Sequence, residues 1–99
     1  LAVGWQRQHE IAAERTAATI RQQGGEARHH VSDVTKSADV AAYAKAALDA
    51  YGRVDCFFNN AGIEGKLAAI VDMDESVFDD VINVNVKGVF LGLRHVLPA

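Results

Sequence analysis

Three helix patterns alternate with short apolar runs along this chain, and this alternation constrains its fold more than any other feature. The runs are LAV at residues 1–3, ARHHVSDV at 27–34 and VDCFFN at 54–59. The helix patterns that follow them are HEIAAERTAATIRQQGG, SADVAAYAKAALDAYG and DESVFDDVINVNVKGVFLGLRHVL. Strands that alternate with helices of this length form a parallel sheet with right-handed crossovers. We therefore predict one α/β unit over residues 1–99, with the order β-α-β-α-β-α.

Residues at the helix ends support this division. Gly24–Gly25 and Gly52 mark the ends of the first two helix patterns, and Thr35 or Ser37 can cap the start of the second. Asp74 is predicted to cap the third helix. The predicted apolar stripe of that helix is Phe78, Val81, Ile82, Val89, Leu93, Val96 and Leu97.

The turn Asn59–Gly62 follows directly on VDCFFN. This run has no polar alternation after Asp55, which is typical of a parallel strand covered on both faces. Asn and Gly are poor strand formers, so the strand is expected to end here, at the carboxyl edge of the sheet, where open α/β sheets bind ligands. Gly62 would let a backbone approach a ligand without an intervening Cβ. Taken alone, the four residues fit an ordinary Asn-rich turn equally well.

Composition excludes several classes of function. Apolar residues make up 49% of the chain, the net charge is −3 and no Lys/Arg cluster is present, so no nucleic-acid partner is expected. No apolar run is long enough to span a bilayer, so no membrane partner is expected either. Cys56 is the only cysteine, which excludes an internal disulfide and fits a reducing, cytoplasmic setting. Because His9, His29, His30 and His95 are scattered, no metal site is predicted.

Three motifs, taken in order, resemble those of the short-chain dehydrogenase/reductase family. They are S-D-V-T at residues 32–35, G-R-V-D-x-x-x-N-N-A-G at 52–62 and V-N-V-K-G-V-F at 84–90. The likeness extends over essentially the whole chain. It implies part of a doubly wound parallel-sheet Rossmann fold: strands 2 to 4 with their helices, without the first strand and the C-terminal half. It also implies an NAD(P)-dependent oxidoreductase that transfers a hydride between the nicotinamide cofactor and an alcohol or ketone substrate.

The resemblance assigns cofactor-binding roles to residues that match the family's motifs. Asp33 resembles the aspartate that accepts a hydrogen bond from the adenine amino group, and Val34 would line the adenine pocket. Asp33 also fits a purely structural role as an acid at a helix N-terminus. The remaining implied cofactor contacts are the ribose-side turn and one apolar residue: Asn59, Ala61, Gly62 and Val84.

Asn85 resembles the asparagine of the family's Asn-Ser-Tyr-Lys tetrad, whose backbone holds a water that connects the catalytic lysine to solvent. An Asn inside a helix costs about 0.5 kcal/mol relative to Ala, so its presence needs a reason. Asn83, two positions earlier, points to a nearly opposite helix face and is interpreted as a solvated or partner-facing amide. Gly88 and Gly92 lie one turn apart, which indicates close packing of this helix against a neighbour.

Several parts of the family pattern have no counterpart in the sequence: the glycine-rich turn, the catalytic serine and the Tyr-x-x-x-Lys pair. The Rossmann order places strand 1 between strands 2 and 4, so VDCFFN would lose both hydrogen-bonding neighbours. We therefore expect residues 1–99, which begin with Leu1 rather than Met, to be a segment of a longer enzyme and inactive alone. For the full protein the family implies a homodimer or tetramer, with the last helix at the subunit interface.

The cofactor and the class of function stay open at this point. Arg7 falls near the position that accommodates a 2′-phosphate and no acid precedes Glu10, which favours NADP, but the register around Trp5 departs from the family pattern. NAD and NADP both remain candidates. One alternative function is a truncated, catalytically silent chain that binds a partner through its last helix. Another is a nucleotide-binding or signalling module of a different α/β fold. The sequence does not specify a substrate.

Overall fold

The computed structural model describes residues 2–4 and 7–99, with side chains from Glu10 onward. Its elements are β1 (Ala2–Gly4), α1 (Arg7–Gln22), β2 (His29–Val31), α2 (Ser37–Tyr51), a 3-10 helix (Ile70–Asp72), α3 (Glu75–Ile82), a π turn (Asn83–Lys87) and α4 (Gly88–Val96). The described part of the chain is therefore mostly helical. None of its helices is both long enough and apolar enough to cross a membrane.

The first two strands confirm the predicted parallel pairing. β1 and β2 run parallel, with Ala2 opposite His29 and Gly4 opposite Val31, and α1 connects them and packs against both. The prediction about NAD and NADP concerns Trp5 and Arg7. Trp5 and the side chain of Arg7 lie outside the described residues.

The prediction of a third strand at residues 54–59 is wrong. Residues 54–59 form no strand, and β1 and β2 make the only sheet in the described ranges. Phe58 is 87% exposed and Cys56 is exposed as well, although the apolar run was predicted to be covered on both faces. The physical reason is the sheet order: both strands expected beside VDCFFN are absent from residues 1–99, so its backbone has no ladder to join. The element order is β-α-β-α, then an irregular segment, then a long helix.

The long third helix is confirmed, and Val96 of its predicted apolar stripe is buried, but most of that stripe is not. α3, the π turn and α4 form one continuous helix from residue 75 to 96, and Asp74 occupies its N-cap position without a side-chain capping bond. Phe78 is 57% exposed and Leu97 is 72% exposed. The π turn holds about one residue more than a turn of regular α-helix, but Phe78 lies before it, so the π turn does not account for the exposure of that side chain. The face that is buried consists of Val84, Gly88, Leu91, Gly92 and Val96.

The main apolar cluster lies between α2 and α4. It contains Val40, Tyr43, Ala44, Leu91 and Val96, and the partly buried Val54 packs against it. α2 begins after Lys36, which provides no side-chain cap, so neither Thr35 nor Ser37 occupies the predicted N-cap position. The predicted C-terminal stop is confirmed, because Gly52 has a φ of 79° and donates its N–H to Leu48 O at 2.7 Å.

Candidate functional site

Asp33 lies in the turn between β2 and α2. Its Oδ1 accepts hydrogen bonds from the Thr35 backbone N–H at 2.9 Å and from Thr35 Oγ1 at 2.7 Å. Its own N–H donates to the Asp39 carboxylate at 2.9 Å, and the Lys36 ammonium lies 3.9 Å from its Oδ2. The structural role at the start of a helix is therefore present.

Val34 is buried at the point where α4 approaches the end of β2. A Cβ atom built on Gly88 would lie 3.0 Å from Val34 Cγ2 and 3.5 Å from the Val34 carbonyl oxygen. The close helix packing predicted for Gly88 is thus confirmed. Val84 is also buried and lies one helical turn before Gly88.

The side chain of Asn59 joins the Asn59–Gly62 turn to α4. Its Nδ2 donates to the Val89 carbonyl oxygen at 2.9 Å. A Cβ on Gly92 would lie only 2.9 Å from both polar atoms of the Asn59 amide, closer than Cβ atoms come to other groups in proteins. The second glycine therefore also packs as predicted, against a polar side chain that contacts the helix.

Asn85 binds the residue that follows the turn. Its Oδ1 accepts a hydrogen bond from the Ile63 N–H and its Nδ2 donates to the Ile63 carbonyl oxygen, both at 2.8 Å. A Cβ on Gly62 would come within 3.3 Å of Asn85 Oδ1, so the turn passes close to this amide. Asn85 lies in the π turn, a feature that is frequent at functional sites. Asn83, by contrast, is exposed, as predicted.

One continuous helix therefore contacts all the segments that carry the predicted site. Val34 rests on Gly88, Asn59 on α4, and Gly62 lies beside Asn85. Ala61 is exposed and lines a large cavity rather than contacting the helix. Sequence reasoning missed Ile63 and Val89, which contribute through backbone atoms only. Their one sequence signal is proximity to the N-N-A-G and V-N-V-K-G-V-F motifs.

A cavity of about 850 Å³ runs along the irregular segment 53–61. α2 supplies much of its wall through Tyr43, Ala47 and Tyr51, and Val34 contributes at the strand end. Burial raises the pKa of the Tyr43 hydroxyl above its usual value of 10.0. The Tyr51 hydroxyl is buried without a hydrogen-bond partner in the described part of the chain. The cavity thus follows the apolar run that was predicted to be a central strand.

Two acidic side chains of α1, Glu10 and Glu14, lie beside His29 of β2. Glu10 Oε1 lies 4.0 Å from His29 Nε2, and the carboxylate of Glu14 contacts the other ring nitrogen of His29 at 2.5 Å. Arg21 in turn binds Glu14 at 3.0 Å. Glu10 is therefore half-buried beside His29 of β2.

Comparison with known proteins agrees with this geometry. The model of the family described as short chain dehydrogenase matches residues 2–99. The chain belongs to this family. A levodione reductase from Leifsonia aquatica is 49% identical over 67 residues, which are 68% of this chain and 25% of that relative. The chain is thus much shorter than the family member it resembles.

Solved structures of the short-chain dehydrogenase family share the fold. The crystal structure of levodione reductase superposes with a TM-score of 0.84 at 38% identity, over 97% of this chain and 37% of that one. An NAD⁺-bound xylitol dehydrogenase gives 0.84 at 33% identity, over 95% and 35%. An actinorhodin polyketide ketoreductase variant with NADPH gives 0.83 at 27% identity, over 96% and 35%. The chain therefore matches about a third of a Rossmann-fold oxidoreductase.

Proposed function

We propose that this chain forms one wall of the dinucleotide cleft in an NAD(P)-dependent oxidoreductase that interconverts an alcohol and a ketone. The observation that carries the proposal is the attachment of two separate segments to one helix. The end of β2 packs on Gly88, and the turn after residue 58 is bound by α4 and Asn85. Segments far apart in the sequence are thereby held on one helix beside the end of β2, and the carboxyl ends of parallel strands are where open α/β sheets bind ligands.

The adenosine end of the cofactor is assigned to Asp33 and Val34. The carboxylate of Asp33 would accept a hydrogen bond from the adenine amino group, and Val34 would contact the base. The contacts of Asp33 with Thr35 support this role, because they fix the carboxylate at the strand end. Val84 would add an apolar contact from the helix. The buried positions of Val34 and Val84 fit an apolar wall.

The ribose side is assigned to Asn59, Ala61 and Gly62. Asn59 is held by Val89 O, and Gly62 has no Cβ, so the backbone here is fixed and uncrowded. This is the property that close backbone approach to a dinucleotide requires. The residues present therefore fit a nicotinamide dinucleotide, whose chemistry would be hydride transfer.

Asn85 is assigned to the proton relay of the complete enzyme. Both polar atoms of its side chain are engaged with Ile63, so its contribution would come from the backbone. The π turn supports this assignment, because a π insertion disturbs the regular pairing of helix carbonyl groups. The residues that would donate a proton to the carbonyl, a tyrosine and its lysine, have no match in residues 1–99.

The proposed cofactor is NAD or NADP. Of the solved relatives, the xylitol dehydrogenase is described with NAD⁺ and the ketoreductase with NADPH. Binding of both NADH and NADPH should therefore be measured.

We further propose that residues outside this chain complete the sheet and the active site. The apolar cavity beside segment 53–61 and the exposed Phe58 support this proposal, because both lie where neighbouring strands would pack. An exposed apolar face on the long helix supports a homodimer or tetramer of the complete protein. That face consists of Phe78, Ile82, Val86, Phe90, Leu93 and Leu97. The competing candidate is a catalytically silent, truncated chain that binds a partner through its last helix, and the same exposed apolar face is compatible with it.

A fluorescence titration of the natural gene product with NADH and NADPH tests the proposal. We expect enhanced nicotinamide fluorescence and saturable binding of at least one cofactor. Intact mass spectrometry of the same sample gives its length. A mass equal to residues 1–99 alone would support the truncated chain, and no binding of either cofactor would contradict the dehydrogenase function.

A further inference from the structure

Gly88 and Gly92 each face a residue assigned to the proposed cleft. A Cβ on Gly88 would lie 3.0 Å from Val34 Cγ2, and one on Gly92 would lie 2.9 Å from the amide of Asn59. We infer that these two glycines are positioning residues: Gly88 sets the adenine wall through Val34, and Gly92 sets the ribose-side turn through Asn59. The part of this inference that concerns cofactor rests on the proposed function.

Backbone conformation does not explain either glycine. Gly88 has ordinary helical angles, with φ −59° and ψ −42°, and Gly92 is not among the glycines with positive φ. Glycine is the poorest helix former after proline, so two of them within five residues of one helix oppose its stability. What the two positions share is that each lacks a Cβ atom. The missing Cβ leaves space for the neighbouring residue, Val34 at Gly88 and Asn59 at Gly92.

The two contacts differ in kind. Gly88 faces a methyl group and a backbone oxygen of Val34, so an added Cβ would push the end of β2 away from the helix. Gly92 faces the end of a short side chain that is already bonded to Val89 O. An added Cβ there would displace the amide of Asn59 and break that hydrogen bond. The first substitution should disturb the adenine wall, and the second should disturb the turn.

Gly88→Ala and Gly92→Ala in the complete protein test this inference, and each is the matched control of the other because both gain the same helix propensity. Without cofactor, we expect Gly92→Ala to speed hydrogen exchange of the Asn59 side-chain amide, which donates to Val89 O, about fivefold, the equivalent of one lost hydrogen bond, and Gly88→Ala to leave it unchanged. With cofactor, the Kd for NADH or NADPH should rise about fivefold in both variants. In a Val34→Ala background the loss of stability caused by Gly88→Ala should be smaller than in wild type, and that caused by Gly92→Ala should be unchanged.

The outcomes separate the two claims. Unchanged exchange of the Asn59 side-chain amide in Gly92→Ala would overturn the positioning role of Gly92, whatever the cofactor does. Wild-type affinity in both variants would overturn the inference for the cleft. If exchange changes as expected but wild-type protein binds neither NADH nor NADPH, the proposed function fails and the positioning of Asn59 by Gly92 is supported.

Discussion

Asn85 pairs both polar atoms of its side-chain amide with the backbone of Ile63, through two hydrogen bonds of 2.8 Å in opposite directions. In a sheet, the N–H and C=O groups of a residue pair with the backbone of a neighbouring strand. Here the N–H and C=O groups of Ile63 pair with a side-chain amide on a helix. It fastens the loop after Gly62 to the π turn. The position of Ile63 relative to the helix is therefore held by this side chain.

Asn85→Ala should lower the free energy of unfolding by about 1–2 kcal/mol, because two hydrogen bonds to a partly exposed loop are lost. Urea unfolding of the complete protein measures this change. Asn83→Ala is the matched control: Asn83 is exposed and makes no side-chain hydrogen bond in the part of the chain the structure describes, so an effect within about 0.5 kcal/mol is expected. Equal effects of the two substitutions would show that the Ile63 pairing contributes nothing.

Gly65→Ala should destabilise the protein more than Gly24→Ala. Both glycines have positive φ, 79° and 89°, which a side chain disfavours by about 1–2 kcal/mol. A Cβ on Gly65 would also lie 2.8 Å from Val81 Cγ2 and 3.2 Å from Val77 Cγ1, whereas one on Gly24 meets nothing within 4 Å. Crowding should add about 1 kcal/mol or more at Gly65. Thermal unfolding of both variants checks the order, and a larger loss for Gly24→Ala would contradict it.

Substitutions of Asp33 separate its structural contacts from its proposed contact with adenine. Asp33→Asn keeps an oxygen for Thr35, so the turn should be nearly as stable as in wild type, whereas Asp33→Ala should lose about 1 kcal/mol of stability. Both should weaken NAD(P)H binding if the carboxylate binds the adenine amino group. Asp79→Asn, on the exposed face of α3, controls for the change in net charge. Normal cofactor affinity of Asp33→Ala would leave only the structural role.

Local sequence signals were sufficient for the helices and insufficient for the third strand. Helical spacing and terminal glycines identified α1, α2 and the long helix, because these elements satisfy their own backbone. VDCFFN has the composition of a buried strand, but a strand also needs partners, and these are not supplied by residues 1–99. The π turn was missed because the extra residue leaves no mark in the apolar pattern, and within α4 the predicted stripe was right for Val96 and wrong for the exposed Leu93.

The candidate site was partly predictable. Asn59, Gly62 and Asn85 stood out because Asn and Gly are unexpected after an apolar strand pattern or inside a helix, and Asp33 stood out through its resemblance to the family motif. Ile63 and Val89 did not, because a backbone N–H or C=O is the same for every residue. The contacts between these groups, such as that of Asn85 with Ile63, became known only from the three-dimensional structure.

The hydroxyl of Tyr43 predicts how stability depends on pH in the alkaline range. Burial raises its pKa in the folded protein above the unfolded value of 10.0. The folded state therefore holds this proton more tightly, so its contribution is fully present below about pH 10 and is lost as the pH rises through the folded pKa. Between pH 9 and 11 the free energy of unfolding should fall less steeply in Tyr43→Phe than in wild type. Parallel curves from urea titrations would exclude a role for Tyr43.

The π turn holds about one residue more than a regular helical turn, and this extra residue determines how α4 is rotated about the helix axis relative to α3. Deleting one residue between 83 and 87 would turn α4 by about 100° relative to α3, so that its two glycines would swing away from the strand end and the amide they accommodate. Circular dichroism would register almost no change in helix content, whereas the NAD(P)H affinity proposed for the complete protein should be lost. A short gap or insertion at this point in a sequence alignment would thus carry more consequence for binding than many substitutions.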